Sequence, residues 1–186
     1  MVRKALLLGF IGLGMFAYGA YIPAKAELAQ YLIRNAWDDS ISTGKEVKPW
    51  VWADMHPVMR IKSIKHNQDL IVLSGDTGNV LAFGPGFSES SFYPGQGGTA
   101  MLSGHRDTHF EFLQNVDIGE KFIVNSKAEN NELIYEVTDI KIIDSDSQGI
   151  IINQNREEIK LVTCYPFNAP IAGGPLRFVV TVSLII

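Results

Sequence analysis

The sequence predicts a mainly all-β domain held behind an N-terminal apolar helix. Three observations predict it. From Val58 onward, short apolar or alternating runs are separated by clusters of Gly, Asn, Asp and Ser, the pattern of strands and tight turns. The long amphipathic helices that parallel βαβ units need as crossovers are absent. The first residues, Met1-Val2-Arg3-Lys4, are followed by eighteen uncharged residues from Ala5 to Ile22.

That apolar run sets the first boundary. As a helix it would span about 27 Å, against a bilayer core of about 30 Å. Arg3 and Lys4 precede it, which would keep the N-terminus inside and send the rest of the chain across. Its four glycines (Gly9, Gly12, Gly14, Gly19) and apolar faces all round argue against a soluble core helix. Two readings stay open: a retained anchor, favoured by the length of the run, or a signal peptide cleaved near Ala24-Lys25-Ala26. Residues 1–26 therefore form the membrane segment. Residues 27–48 read as a helical stalk and linker, with Leu28, Tyr31, Leu32 and Ala36 near one stripe of a helix from Glu27 to about Ser40. Residues 49–186 form the exported domain.

Strands are expected over Val58–Ile64, Asp69–Leu73, Thr99–Ser103, Glu120–Ser126, Glu132–Asp144, Glu158–Thr163 and Arg177–Ile186. In the first, Met59, Ile61 and Ser63 share one face and the bases the other. One or two helical turns are expected over Phe110–Val116. Seven or so short strands suggest a closed barrel or a sandwich.

The chain has 186 residues, 46% apolar and 19% charged, an ordinary globular composition. Its formal charge is −4, and beyond residue 26 thirteen bases face 20 acids, a charge of −7. That balance argues against nucleic acid as a partner, because neutralising phosphates needs a basic face. Gly95, Gly97 and Gly98 lack the G-x-x-x-x-G-K-S/T spacing of a phosphate loop and read as a mobile loop.

Three residues carry the chemistry. Cys164 is the lone cysteine and stands at a strand end before Tyr165-Pro166, held by a scaffold yet able to face a cleft. A lone cysteine can equally be a buried, inert thiol. His105 follows a strand in Ser103-Gly104-His105-Arg106-Asp107, with Gly104 expected to let the chain turn sharply. Arg177 opens the last strand. Together they would supply what thiol acyl transfer needs: a nucleophile, a proton donor for the departing amine, and a cation for the oxyanion. A metal site built from His105, Asp107, His109 and Cys164 is the competing chemistry, disfavoured because Gly104 and the preceding strand keep the histidines off a helical i, i+4 face. His56 and His66 are assigned to the surface.

At these residues the sequence resembles the sortase family. Lys160-Leu161-Val162-Thr163-Cys164 is similar to the TLxTC strand that ends in the family's cysteine, with Lys160, expected to point outward, in place of the first threonine. Ser103-Gly104-His105-Arg106-Asp107 resembles the histidine motif, and Leu176-Arg177-Phe178 the arginine motif. Pro49-Trp50-Val51-Trp52-Ala53-Asp54 and Leu81-Ala82-Phe83-Gly84-Pro85-Gly86 look like the sortases of Gram-negative bacteria, close to class D. The resemblance extends over about residues 50–186. It implies an eight-stranded β-barrel with short helices, anchored in the inner membrane by a single pass and facing the periplasm. It implies a cysteine transpeptidase that cleaves an LPxTG-like C-terminal sorting signal between Thr and Gly. Cys164 would carry the acyl-thioester and His105 would protonate the leaving amine. Arg177 would position substrate or hold the oxyanion. An amine acceptor or water would then resolve the thioester. The reading calls for no cofactor and no metal; Asp144, Asp146, Glu157 and Glu158 are read as solvated loop charges rather than a calcium site. Two alternatives remain. One is a transpeptidase acting on peptidoglycan stems, which usually has His-Gly before the cysteine where this chain has Val162-Thr163. The other is a non-catalytic envelope barrel.

Overall fold

Alternation and turn chemistry become a closed barrel in the computed structural model, which describes residues 2–127, 131–171 and 173–185, without the side chains of residues 2–8. The strands are β1 (Pro57–Ser63), β2 (Gln68–Ser74), β3 (Gly86–Phe87), β4 (Thr99–Ser103), β5 (Lys121–Ser126), β6 (Glu132–Asp144), β7 (Glu158–Cys164) and β8 (Leu176–Leu184). They close in the order β1-β2-β3-β4-β7-β8-β6-β5, with β5 pairing back to β1. Two neighbouring pairs, β2–β3 and β4–β7, are parallel, and the others are antiparallel. The closure is thinnest at β3, which pairs with β2 and with β4 over two residues each.

The expected faces hold. Met59, Ile61 and Ser63 are buried on β1, while Arg60 and Lys62 point outward. Tyr135, Phe87, Phe110 and Phe122 fill the barrel together with Leu102, Leu161, Val180 and Val182. Each such side chain contributes about 1.5–3 kcal/mol by leaving water. The helical turn near Phe110 is a 3-10 turn over Glu111–Asn115 that puts Leu113 into this core.

Two elements escaped the sequence reading. A one-turn helix, α2 (Gly78–Leu81), lies where only turn chemistry is legible, and β3 is two residues long inside a glycine-rich stretch. Gly86 is required there, because a Cβ would stand 2.3 Å from the Gly75 carbonyl oxygen.

The helix expected from Glu27 to about Ser40 is part of one longer helix, α1 (Val2–Thr43), which runs through Pro23. It ends at Gly44, whose φ of +66° is the left-handed conformation that commonly stops a helix. The buried stripe is Ala29, Ile33, Ala36, Trp37 and Ser40. Leu28 and Tyr31, expected on that stripe, are exposed. The helix is rotated so that Ile33 and Trp37 join Ala53, Met55, Leu73 and Val80 in a second cluster outside the barrel. Among the described residues no helix is long and apolar enough to cross a membrane, so the expected transmembrane helix is not shown. The expected run begins at Ala5, and the side chains of residues 5–8 lie outside the described residues.

Candidate active site

Strand register carries the three candidate residues to one end of the barrel. On β7, Ile159 and Leu161 face the barrel core, while Val162 joins an outer-face cluster with Ile143 and Val179. Alternation then puts Cys164, two residues beyond Val162, on the outer face. Cys164 is half-buried, and its direct partner across the antiparallel β7–β8 ladder is Arg177. Directly opposed residues project from the same face.

The histidine arrives from the other side. Strand β4 runs parallel to β7 with Ser103 level with Val162. The Gly104 N–H donates to the Val162 carbonyl at 3.0 Å, which carries the pairing one residue further. The buried Thr163 hydroxyl donates to the Gly104 carbonyl at 2.7 Å. Carried on two residues from Ser103, this register sets His105 level with Cys164. His105 is exposed. Cys164, His105 and Arg177 thus share one end of three neighbouring strands.

Gly104 is needed for a reason other than the expected sharp turn. It lacks a positive φ, but a Cβ there would lie 2.6 Å from the Phe110 ring, which is wholly buried. The glycine lets the chain before His105 pass over the core aromatic.

Arg177 Nη1 donates to the carbonyls of Gly174 (2.7 Å) and Leu176 (3.0 Å), which fixes the guanidinium against the loop that precedes it. A second arginine, Arg106, was legible only as part of a motif. Its side chain is buried, with the residue 8% exposed, and its Nη2 donates to the carbonyls of Ala169 and Ile171, both at 3.1 Å. Arg106 therefore ties the segment after His105 to the loop that joins Cys164 to Arg177. Nothing in the residue pattern announces this burial.

His109 is half-buried, and its pKa lies below the ordinary 6.5, chiefly through burial and further through the nearby charge of His105. The histidines assigned to the surface are not free there. His66 Nε2 lies 2.7 Å from Glu120, with only 12% of its side chain exposed. His56 Nδ1 lies 3.2 Å from the Ser74 hydroxyl. Each has a partner that follows from a strand pairing, which sequence spacing does not reveal.

Among the described residues no group of three or more His, Cys, Asp or Glu side chains could hold a metal. Of the acidic candidates, Glu157 accepts the N–H groups of Gly95 (2.9 Å) and Gly97 (2.6 Å) and the Tyr135 hydroxyl (2.6 Å). This corrects two readings: Glu157 is not a solvated loop charge, and the glycine loop is pinned by a carboxylate. Gly95 and Gly97 have positive φ, and turns of that kind aim N–H groups at an anion. Glu158 is buried and accepts from the Thr99 hydroxyl at 2.9 Å. Lys160 lies on the outer face as expected and donates to the Ile151 carbonyl at 2.6 Å, holding the β6–β7 loop to the sheet. Beneath that loop a cleft of about 880 Å³ runs over the outer face of β6, β8 and β7, with Ile143, Ile150, Lys160 and Val179 among its walls.

A closed eight-stranded barrel thus carries Cys164, His105 and Arg177 at or just beyond adjoining strand ends. A family model of the sortase domain matches residues 59–185, and the chain belongs to the sortase family. It is similar to Sortase D of Bacillus subtilis (strain 168), 34% identical over 117 residues, which is 62% of this chain and 58% of that protein. The chain thus matches a little over half the length of that relative, and the match supports the class D likeness. A Clostridium perfringens Sortase D5 transpeptidase shares the fold at a TM-score of 0.68 and 17% identity, over 86% of this chain and 99% of that one. Listeria monocytogenes sortase A superposes at a TM-score of 0.60 and 27% identity, over 70% of this chain and 88% of that one. Sortases are envelope-associated transpeptidases that act on proteins bearing sorting signals.

Proposed function

We propose that this protein is a membrane-anchored cysteine transpeptidase that cleaves an LPxTG-like sorting signal between Thr and Gly. The Cys164 sulfur attacks the threonine carbonyl carbon, and the carbonyl oxygen becomes an oxyanion beside Arg177. Collapse breaks the C–N bond, His105 gives its proton to the departing glycine amine, and the acyl group stays on sulfur as a thioester. An incoming amine, or water, attacks that thioester, passes a proton to His105 and releases the thiolate. A thiol attacks as its thiolate, so the chemistry calls for a base and a cation near the sulfur. The single observation that supports this reading is the strand register: Cys164 lies opposite Arg177, and Ser103, two residues before His105, lies opposite Val162, two residues before Cys164.

Cleavage of a fluorogenic LPxTG peptide tests it. Cys164→Ala and His105→Ala should each abolish turnover with the fold intact by circular dichroism. Full cleavage by Cys164→Ala would end the assignment.

The anchor rests on the uncharged run Ala5–Ile22 behind Arg3 and Lys4, and it puts the barrel on the periplasmic side of the inner membrane. Intact mass of the membrane-extracted protein tests it. A chain that keeps residues 1–26 is the expected result, and a chain that starts after Ala26 would make the segment a signal peptide.

A further inference from the structure

We propose that the Val51-Trp52 tip inserts into the lipid interface and seats the barrel directly on the bilayer surface. The inference rests on the membrane-anchored reading above.

After α1 ends, the chain runs back alongside it. The Val47 N–H donates to the Ser40 hydroxyl at 3.3 Å. Three residues later the Trp50 ring packs edge-on against Phe83 at 5.2 Å, and the Phe83 carbonyl accepts from Gln30 at 2.6 Å. Ser40 and Gln30 are about 15 Å apart along a helix, and three extended residues cover about 10 Å of it. The segment 47–50 therefore travels toward the N-terminal end of α1. There it reverses in a turn closed by the Ala53 N–H and the Trp50 carbonyl at 3.0 Å.

The two residues at the tip of that turn are Val51, 91% exposed, and Trp52, 83% exposed. Their neighbours Trp50 and Ala53 pack inward on the second cluster, so the tip is held by a firm base. An ordered turn that shows water a valine and an indole needs an explanation.

The bilayer interface fits best. Among the described side chains Ala29 is the first of α1 that is buried, and Ile22 ends the apolar run. Those seven residues of continuous helix span about 10 Å. The headgroup layer of one leaflet is about 5–8 Å thick. The end of the barrel from which α1 leaves thus lies at the headgroups, with no slack in between. On α1, Tyr21, Ile22, Leu28 and Tyr31 are exposed as well. Lys48, exposed three residues before the tip, suits the phosphate level, while Asp54, also exposed, stands past the turn; on α1, Lys25 and Glu27 are both exposed. An indole, apolar with one N–H donor, is the side chain enriched at that depth. Two residues are too few for a stable protein interface, which covers about 800 Å² on each partner.

Fluorescence of the full chain in phosphatidylcholine vesicles with brominated acyl chains tests the proposal. Bromines high on the chains should quench the wild-type emission more than bromines near the bilayer centre. Trp52→Ser should lose most of that quenching, while peptide cleavage in detergent is unchanged. Equal quenching of wild type and Trp52→Ser would overturn the docking. So would a Trp52-dependent dimer by sedimentation in detergent, which would give the tip to a second copy. Flotation separates the two readings. A chain that fails to float with vesicles removes the anchor, and the docking with it. A chain that floats with Trp52 unquenched keeps the anchor and removes the docking alone.

Discussion

Cys164 and Arg177 are direct partners across β7 and β8, and the loop that joins them is held at Ala169 and Ile171 by Arg106, the residue after His105. The proposed nucleophile and its cation are thus fixed by a sheet ladder, and the segment that carries His105 is bonded to both the ladder and the loop. A site built on strand ends is held more firmly than one built on free loops.

Arg177→Ala should lower kcat by roughly 10²–10³-fold, the usual loss when one oxyanion donor is removed. Stability should change by less than about 0.5 kcal/mol, because among the described residues the half-exposed guanidinium bonds only to its own loop. Steady-state kinetics and urea unfolding measure the two effects separately.

Thr163→Val keeps the shape of the side chain and removes its hydroxyl. The Gly104 carbonyl then loses its 2.7 Å donor inside a buried site. A cost of about 1–3 kcal/mol is expected. Turnover should fall as well, because this bond locks the strand end before His105 to the one before Cys164. Denaturant titration and peptide cleavage check both.

Gly104→Ala would drive a methyl into the Phe110 ring. Overpacking of this kind costs about 1–3 kcal/mol. Adding Phe110→Leu to the variant should restore part of the loss, measured as a recovered melting temperature. A glycine needed for φ would show no such recovery, so the double variant separates space from backbone conformation.

Acid should weaken the fold in two stages. Burial lowers the pKa of His109 and of His56 below 6.5. Near that pH the unfolded chain takes up protons that the folded chain refuses. Their contribution is therefore complete above 6.5 and falls away as the pH drops through the folded values. Asp69, lowered below 3.8 by its hydrogen bonds from Arg60, adds a second loss further down. Melting curves from pH 8 to pH 4 should show the first stage, and His109→Gln should flatten it.

Much of the barrel was legible because alternation is local. The limits of β4 and β6 follow from runs such as Thr99–Ser103 and Glu132–Asp144, which carry their own period and turn boundaries. Strand β3 was not legible, since two residues carry no period. The rotation of α1 was missed because Ile33 and Trp37 are chosen by Met55 and Leu73, partners distant in the chain. Cys164, His105 and Arg177 could be grouped from their positions at strand ends and from motif resemblance, but the pairing of Cys164 with Arg177 could not, as register is set by partners rather than by composition. The Glu157 carboxylate on the Gly95–Gly97 loop, and the burial of Arg106, depend on loop paths that no spacing rule gives.

Intact and peptide mass spectrometry of the protein incubated with an LPxTG peptide tests the central claim most directly. The account predicts an acyl adduct on Cys164 whose mass equals the peptide fragment ending at threonine, absent in Cys164→Ala and discharged by an added amine. Turnover of the peptide with no adduct on Cys164, or an adduct on another residue, would contradict it.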